Sequence, residues 1–211
     1  MSTQAIALQL RKQELVKDTI WNAAIDLFAA KSFEQVTVDE IAQAAGISRR
    51  TFFRYFASKN DLMAERVTLY GAALSTAIEL CPASWSTRRV LAHVTMEVAR
   101  LAALEPRTRQ IIRIGESSTA AREALLTSLS FAEDRVAEAF AARPRKRAAD
   151  PLISRLLATL TLSLVNVVVR VWGSSESGEI EATMKRALAA LEHIVSVSPA
   201  VPHAQSGRPA R

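Results

Sequence analysis

Apolar residues recur at three- and four-residue steps along almost the whole chain, which is the spacing of one face of an α-helix. An amphipathic first helix is predicted over residues 11–30, where the apolar stripe consists of Val16, Ile20, Ala23, Leu27 and Phe28. The chain has only 6 glycines and 7 prolines in 211 residues, so it lacks the turn residues of an all-β fold. The sequence therefore predicts an all-α protein.

Capping residues mark the start of three further helices after the first one. Thr37 and Glu40 have the spacing of a capping box, in which each side chain satisfies the other residue's backbone N–H. Gly46 supplies the left-handed backbone that ends a helix sharply. Ser48 and Ser58 can cap the two helices that follow. Two short helices joined by such a turn form a helix-turn-helix.

The periodicity continues to the end of the helical part of the chain. The fourth helix is expected to reach about Leu80, and five more are predicted over residues 86–103, 106–114, 119–142, 151–172 and 177–197. We expect one domain over residues 1–66, with 1–10 as a flexible arm, and a second helical domain over residues 67–197. Residues 198–211 contain three prolines and few bulky apolar side chains, so this tail is predicted to be disordered.

Charge alone does not predict the binding partner. The net charge is +6, but residues 1–66 carry nine Lys and Arg against eight Asp and Glu, so most of the excess lies elsewhere. The most apolar stretch, residues 156–169, is shorter than the ~20 residues of a membrane-spanning helix, which favours a buried helix over a membrane span. With the single cysteine Cys81 and no signal-peptide pattern, we expect a cytoplasmic protein.

Residue patterns of enzymes are missing from the sequence. The three histidines are scattered, and there is neither a metal-binding pair nor a phosphate-cradling glycine loop. The segment that begins at Gly115 lacks the second glycine of a nucleophile elbow. We therefore expect no enzymatic activity, no cofactor and no metal.

The helix that follows the glycine turn carries the side chains that are suited to DNA. Phe52 and Phe56 are spaced to pack inward, which leaves arginines on the outer faces. Arginine can make a paired contact with guanine O6 and N7, and hydroxyl groups can contact phosphates. This pattern favours a DNA-binding helix over an ordinary helical hairpin with exposed arginines.

The segment TVDEIAQAAGISRRTFFRYFASKNDL resembles the DNA-binding signature of the TetR (AcrR) family of transcriptional regulators. The resemblance covers residues 12–66, and SRRTFFRYF is similar to the recognition helix of a subgroup common in high-GC actinobacteria. The positions that carry it are Phe28, Phe33, Thr37, Val38, Ile41, Ala42, Ala45, Gly46, Ile47, Ser48, Thr51, Tyr55, Phe56, Lys59 and Leu62. Three departures are Ser32 and Arg50, where the family often has Gly, and Phe53, where it often has Tyr.

The resemblance implies a homodimeric, ligand-responsive repressor that binds a palindromic double-stranded DNA operator. The implied DNA-binding residues are Thr37, Ser48, Arg49, Arg50, Thr51, Phe53, Arg54, Tyr55 and Lys59. The second domain is then expected to bind a small-molecule effector and to dimerise. Plain core is the more common role for such residues, and the candidates for the effector pocket are Trp85, His93, Met96, Arg100, Phe131 and Trp172.

The last two predicted helices are apolar on more than one face, as expected for helices that pair with a second chain. The predicted dimer residues are Leu156, Leu160, Leu164, Val168, Leu188, Leu191 and Val195. Two other classes of protein stay open at this point. One is an architectural DNA-binding protein that tolerates many sequences and has no effector, and the other is a helical adaptor.

Overall fold

The computed structural model describes residues 3–143, 150–175 and 178–196, and these ranges contain nine α-helices and no strand. The N-terminal helices are α1 (Thr3–Ala30), α2 (Val38–Ala44), α3 (Arg49–Tyr55) and α4 (Lys59–Leu80). They are followed by α5 (Thr87–Leu104), α6 (Thr108–Ser117), α7 (Thr119–Ala142), α8 (Pro151–Gly173) and α9 (Ile180–Ser196). The all-α prediction is confirmed.

The first helix begins at Thr3, eight residues before its predicted start. The predicted arm is therefore helical from Thr3 onward, and the side chains of residues 4–10 are exposed. Residues 3–10 contain Ala, Leu and Gln, which favour helices, and no Gly or Pro. Adding them to an existing helix requires no new nucleation, which accounts for the extension.

Two buried clusters organise the molecule. The first joins α1, α2, α3 and the start of α4, with Trp21, Phe33 and Phe52 among its fully buried side chains, and residues of α6 and α7 complete it. The second lies among α4, α5, α7, α8 and α9 and includes Phe140 and Met184. Because α4 contributes to both clusters, it connects the N-terminal helices to the C-terminal ones.

The connection between α1 and α2 departs from the family pattern at Ser32. Among the described residues, positive φ occurs only at Gly46, so Ser32 keeps an ordinary backbone. Its carbonyl accepts the N–H of Val36 at 3.3 Å, and its hydroxyl accepts the N–H of Gln35 at 3.4 Å. The first helix thus ends without the strained conformation that a glycine would relieve.

By length and composition, α8 could cross a membrane. In this fold it packs against α5, α7 and α9. Its buried side belongs to the protein interior and consists of Ala158, Thr161, Leu162, Val165 and Val168. The predicted tail and residues 144–149 lie outside the described residues. Arg143, which directly follows α7, donates to the carbonyls of Ile78, Cys81 and Pro82 at 2.8 to 2.9 Å, and so caps the end of α4.

Candidate nucleic-acid interface and internal cavity

The first helix of the helix-turn-helix is α2, and both of its ends are fixed by hydrogen bonds. The Thr37 hydroxyl accepts the Glu40 N–H at 3.2 Å, and the Glu40 carboxylate accepts the Thr37 N–H at 2.9 Å, which completes the predicted capping box. At the other end Gly46 has φ +66°, and the N–H of Ile47 donates to the carbonyl of Ala42 at 2.9 Å. This double closure holds α2 short and sets the direction of α3.

The second helix of the helix-turn-helix, α3, is capped by Ser48. The Ser48 hydroxyl accepts the N–H of Thr51 at 3.1 Å and lies 2.9 Å from the Thr51 hydroxyl. Phe52 is fully buried, and Phe56 just after the helix is almost fully buried. These two rings anchor α3 to the first core, with their centres 5.9 Å apart. The opposite face is exposed and consists of Arg49, Arg50, Phe53 and Arg54.

The exposed arginines of α3 differ in their surroundings. Arg49 donates from Nη1 to Asp39 Oδ2 at 2.9 Å, and its guanidinium carbon lies 5.6 Å from the centre of the Phe53 ring. Within the described ranges, the side chain of Arg50 has no hydrogen bond or ion pair. Arg54 lies over the Tyr55 ring at 5.0 Å and donates to the Tyr55 hydroxyl at 3.4 Å. Arg50 is therefore the α3 arginine best able to reach a base without breaking another contact.

Tyr55 and Thr51 are half-buried, and Thr37 and Ser48 are exposed. The Tyr55 ring packs against the first core, so its hydroxyl is held at the edge of the α3 surface. The predicted residues from Thr37 to Tyr55 thus lie in the helix-turn-helix unit that α2 and α3 form.

Lys59, one of the predicted DNA-binding residues, is engaged within the protein. Its ammonium donates to the carbonyls of Phe33 at 2.7 Å, Glu34 at 3.1 Å and Val36 at 3.1 Å, and it lies 4.7 Å from the centre of the Phe33 ring. An ammonium group has three N–H donors, and all three are used here. The side chain therefore fastens the loop between α1 and α2 to the start of α4, and the predicted phosphate contact would require breaking these bonds.

A shallow groove beside α3 contains cations that the sequence analysis did not assign. The first helix contributes Gln9, Lys12 and Lys17 to this groove, and α3 contributes Arg54 and Tyr55. Lys17 is paired with Glu65 at 3.2 Å. The three positive charges in residues 11–17 were the available signal. Their position beside α3 depends on how α1 packs against the helix-turn-helix.

A cavity of about 260 Å³ lies between α4, α6, α7 and α8. Most of its lining is aliphatic, with polar groups from Arg66, Tyr70 and Asn166 and a charged rim of Glu116, Arg122 and Arg170. None of the six predicted pocket residues lines it, so that prediction is wrong for this cavity. The prediction favoured aromatic and charged residues, whereas the wall consists mainly of Leu, Ile and Val.

The six predicted pocket residues have other surroundings. The Trp85 and His93 rings contact each other edge-on at 5.2 Å, and Arg100 is paired with Glu181 at 2.8 Å. Phe131 is 73% exposed on α7. Met96 packs against the second core, and the Trp172 Nε1 donates to the carbonyl of Gly178 at 2.9 Å.

Polar contacts join the cavity wall to α1. The Arg107 guanidinium forms a two-pronged ion pair with Asp26, with Nη2 to Oδ2 at 3.0 Å, and it lowers the pKa of Asp26. The Gln110 side chain donates to the carbonyl of Ile25 at 3.3 Å, and the Ser118 hydroxyl donates to Glu34. One side of α6 faces the cavity and the other side faces α1. A displacement of α6 would therefore also displace α1.

An exposed apolar stripe runs along α8. Its members are Ile153, Leu156, Leu160, Val167 and Val171, each between 42% and 55% exposed. Leu164, Leu188 and Leu191 are half-buried, and Ile194 on α9 is 69% exposed. Val168 is only 1% exposed, so its assignment to a dimer interface is wrong, because α8 turns that position into the second core. The side chain of Val195 lies outside the described residues.

The capped helix-turn-helix carries an exposed arginine face and is followed by a helical C-terminal part, an arrangement of the all-α class. Residues 20–65 match the family described as bacterial regulatory proteins, tetR family. The chain is 28% identical over 184 residues to the HTH-type transcriptional regulator TcmR of Streptomyces glaucescens, a match covering 83% of this chain and 80% of TcmR. Residues 20–65 are therefore similar to the TetR family of transcriptional regulators.

A second relative matches only the N-terminal part. The regulator MftR of Mycobacterium tuberculosis is 56% identical over 52 residues, which are 25% of this chain and 26% of MftR. The match therefore spans about a quarter of that protein.

Solved structures share the fold of the whole chain. NalD, the secondary repressor of the MexAB-OprM multidrug efflux pump in Pseudomonas aeruginosa, aligns with TM-score 0.58 at 17% identity over 86% of this chain and 96% of NalD. FadR of Thermus thermophilus, a TetR-family repressor solved with lauroyl-CoA, aligns with TM-score 0.52 at 21% identity over 92% and 98% of the two chains.

Proposed function

We propose that this protein is a ligand-responsive repressor that binds a palindromic operator as a homodimer. In this proposal, residues 1–66 bind DNA, residues 67–197 bind the effector and dimerise, and the protein acts in the cytoplasm. One observation supports it above the others: the capped α3 helix holds Phe52 inward and presents Arg49, Arg50 and Arg54 outward. A helix presented in this way can enter the major groove.

The DNA contacts divide into two kinds. Arg50 and Arg49 are suited to base edges in the major groove, with Phe53 beside them for apolar contact with a thymine methyl group. Thr37, Ser48, Thr51 and Tyr55 carry hydroxyl groups that can position the protein on phosphates. Arg54 and Lys12 add positive charge at the flank of α3.

The test of sequence reading is the double variant Arg49→Ala with Arg50→Ala. Loss of base contacts costs roughly 1–3 kcal/mol each and flattens the difference between operator and random DNA. The matched control is Arg88→Ala with Arg89→Ala, because these arginines also follow a serine cap and are exposed at the start of α5. An even loss of affinity across all sequences in the first variant would favour the architectural alternative, and unchanged binding would favour the adaptor.

The dimer is proposed from the stripe on α8. Its exposed aliphatic side chains form a continuous face along a single helix, and such faces mark protein interaction sites. A two-fold axis through this stripe would bring α8 and α9 of two protomers together and present two copies of α3 to the two half-sites of a palindrome. Light scattering should give twice the chain mass, and Leu156→Glu with Val167→Glu should give a monomer. The control Leu80→Glu alters an exposed leucine elsewhere and should leave the dimer intact.

The effector is proposed to bind in the cavity lined by α4, α6, α7 and α8. Occupancy would move α6, and the pairs Arg107–Asp26 and Ser118–Glu34 would pass that movement to the N-terminal helices. NalD and FadR are described as repressors, whereas the relative DhaS of Lactococcus lactis is named a transcriptional activator and matches 28% of this chain. A transcription assay with the bound operator tests whether the protein represses or activates transcription. A rise in transcription on adding protein would contradict repression.

We also place the chain in the subgroup with an SxRTFFRYF-type recognition helix. Relatives from Mycobacterium and Streptomyces support this placement. Exchange of residues 48–56 with those of a member of that subgroup tests it, because operator preference should follow the exchanged helix.

A further inference from the structure

Two polar side chains of α4 belong to the cavity wall but hold their buried donors away from the cavity. Nε of Arg66 and the hydroxyl of Tyr70 are each fully enclosed by protein atoms, so neither faces the cavity. The Tyr70 hydroxyl has a hydrogen bond with Thr108, and the guanidinium carbon of Arg66 lies 4.1 Å from the centre of the Trp21 ring. A bound molecule therefore finds no hydrogen-bond partner in these two groups.

Two arginines of the cavity wall are paired with carboxylates of the protein. Nη2 of Arg66 lies 3.3 Å from Glu105 and 3.4 Å from Asp18. Nη2 of Arg170 lies 3.9 Å from Glu116 at the rim. Both positive charges are therefore already compensated within the protein.

The third arginine of the wall, Arg122, is engaged by the end of α6. Its Nε donates to the carbonyl of Gly115 and its Nη2 to the carbonyl of Glu116, both at 3.1 Å. The three arginines are matched in number by the three carboxylates around them. An ionic head group inside the cavity would lose its hydration without meeting an unpaired opposite charge, which is costly.

Among the described residues of the wall, Asn166 on α8 is a neutral polar side chain that remains available to a ligand. Its amide takes part in no hydrogen bond with the described residues, and unlike the two donors on α4 it is not fully enclosed. A carboxamide offers both an acceptor oxygen and an NH₂ donor without a charge. Asn166 is thus suited to a neutral hydroxyl, carbonyl or N–H group of a bound molecule.

The rest of the wall sets the size and the polarity of the ligand. It is formed mainly by aliphatic side chains of four helices, such as Val67, Ile111, Leu129 and Val165. The cavity measures about 260 Å³, whereas an engineered apolar cavity of about 150 Å³ binds benzene. By proportion, the space holds on the order of ten non-hydrogen atoms. The cavity therefore matches a small and mainly apolar molecule.

We infer that the effector is a compact, uncharged and mainly apolar molecule whose single polar group is bound by Asn166. The inference rests on the proposed function, because it specifies the ligand of the cavity that is proposed to control DNA binding. It excludes carboxylates, phosphates and amines that are charged at neutral pH. The aliphatic wall favours the apolar part of the ligand, and the lack of an unpaired charge disfavours ions.

The test compares three molecules that share one 3-phenylpropyl skeleton: 3-phenylpropan-1-ol, 3-phenylpropanoate and 3-phenylpropylamine. At pH 7 the first is neutral, the second is an anion and the third is a cation. Calorimetry on the full chain should show the alcohol binding at least about tenfold more tightly than either ion, since an unpaired buried charge is costly. Binding of either ion as tightly as the alcohol, or no binding of the alcohol at millimolar concentration, would overturn the inference.

Asn166→Leu tests the polar contact, because leucine has nearly the same size but offers no hydrogen bond. It should weaken binding of the alcohol by about three- to tenfold, the loss of one hydrogen bond. Binding of propylbenzene, which has the same skeleton without the hydroxyl, should not be weakened. The matched control is Asn22→Leu, since Asn22 is also half-buried but lies on α1 outside the cavity wall. Equal weakening of both molecules, or of neither, would overturn the role of Asn166.

Val165→Phe tests the location, because the larger ring should occupy part of the cavity. Binding of the alcohol should weaken by about tenfold or more, since close-packed interiors leave no alternative space. Val67→Phe fills the cavity from α4 and serves as a second variant. Val167→Phe is the control, because Val167 lies on the same helix but is 55% exposed. Undiminished binding to a filled variant that still melts cooperatively would overturn the location.

A DNA readout in the same preparations separates the ligand from the proposed function. Operator binding is measured first without any added molecule, and a chain that does not bind DNA would contradict the proposed function but not the calorimetric result. Saturating alcohol should release the operator from the unaltered chain and from Val167→Phe, but not from Val165→Phe. Binding of the alcohol without release of the operator would overturn its assignment to the effector class.

Discussion

Arg49 of α3 and Asp39 of α2 form an ion pair, with 2.9 Å between Nη1 and Oδ2, on the face proposed to meet DNA. Both side chains are 63% exposed, and exposed pairs contribute only about 0.2–1 kcal/mol. Asp39 nevertheless holds one of the arginines proposed to contact DNA, and in that proposal its negative charge would lie next to the phosphates. Arg49 should therefore leave Asp39 only for DNA whose contacts with Arg49 are more favourable than the ion pair.

We predict that Asp39→Asn strengthens binding to random DNA by about two- to fivefold, in line with the small energy of an exposed pair. Operator binding should gain less, so discrimination falls. Fluorescence anisotropy with both DNAs at one salt concentration measures this. Asp134→Asn is the matched control, because Asp134 pairs with Arg155 at 3.0 Å with nearly the same exposure, but on α7 and α8. Weaker binding of Asp39→Asn to random DNA would contradict the restraint.

Lys59→Met should destabilise the protein by about 1–3 kcal/mol, because the ammonium donates to three carbonyls and hydrogen bonds to charged groups are strong. The methionine keeps most of the apolar stem but removes the ammonium, and with it the contact of Nζ with the Phe33 ring. Urea unfolding checks the result, with the exposed Lys185→Met as a control. An unchanged unfolding midpoint together with lost DNA affinity would restore the phosphate role.

The capping box of α2 should make part of the stability depend on pH. The contact with Lys31 and the hydrogen bonds from Thr37 lower the pKa of Glu40 to about 2, from an ordinary value of 4.5. A lowered pKa in the folded state means that the contribution is fully present above about pH 4.5. It is lost as the pH falls through 2, because the unfolded chain then binds the proton more readily.

Glu40→Gln isolates this contribution, since Gln can still accept from the Thr37 N–H but carries no charge. The difference in melting temperature between the two proteins should be largest above about pH 4.5 and should shrink toward pH 2. Asp26 and Glu34 also have lowered pKa values, but both proteins contain them, so their effects cancel in the difference. A difference that does not vary with pH would contradict the role of the Glu40 charge.

The packing of α4 on α7 requires a glycine at position 71. A Cβ at Gly71 would lie 2.7 Å from the Cβ of Ala132, closer than two carbon atoms can approach. Gly71→Ala should destabilise the protein by about 1–3 kcal/mol through overpacking. That cost exceeds the gain of about 1 kcal/mol in helix propensity. Addition of Ala132→Gly should recover part of the loss, and thermal unfolding of both variants measures it. Equal or greater stability of Gly71→Ala would contradict the close approach.

Local sequence signals predicted the helix-turn-helix closely. Thr37, Ser48 and Ser58 each cap the helix that the sequence analysis assigned to them, and Gly46 ends α2 with a positive φ. These features depend on residues within a few positions of one another. Capping and glycine conformation therefore depend on local sequence rather than on tertiary contacts.

Features that depend on packing could not be predicted in the same way. The bonds of Lys59 span more than twenty residues, and they exist only because the loop after α1 lies against the start of α4. The cavity wall combines one face from each of four helices, and periodicity does not specify which faces meet. Val168 shows the same limit, because a helix that is apolar on several sides leaves open which side faces its own core.

The central claim is that a dimer of this chain reads a specific palindrome through α3. Selection of genomic fragments by the purified protein, followed by footprinting of the strongest fragment over a salt series, tests it most directly. The account predicts a protected palindrome whose half-site centres lie about one helical turn or a multiple of it apart, with affinity that falls steeply with salt. Uniform binding without a preferred fragment, or protection of a single unpaired site, would contradict it.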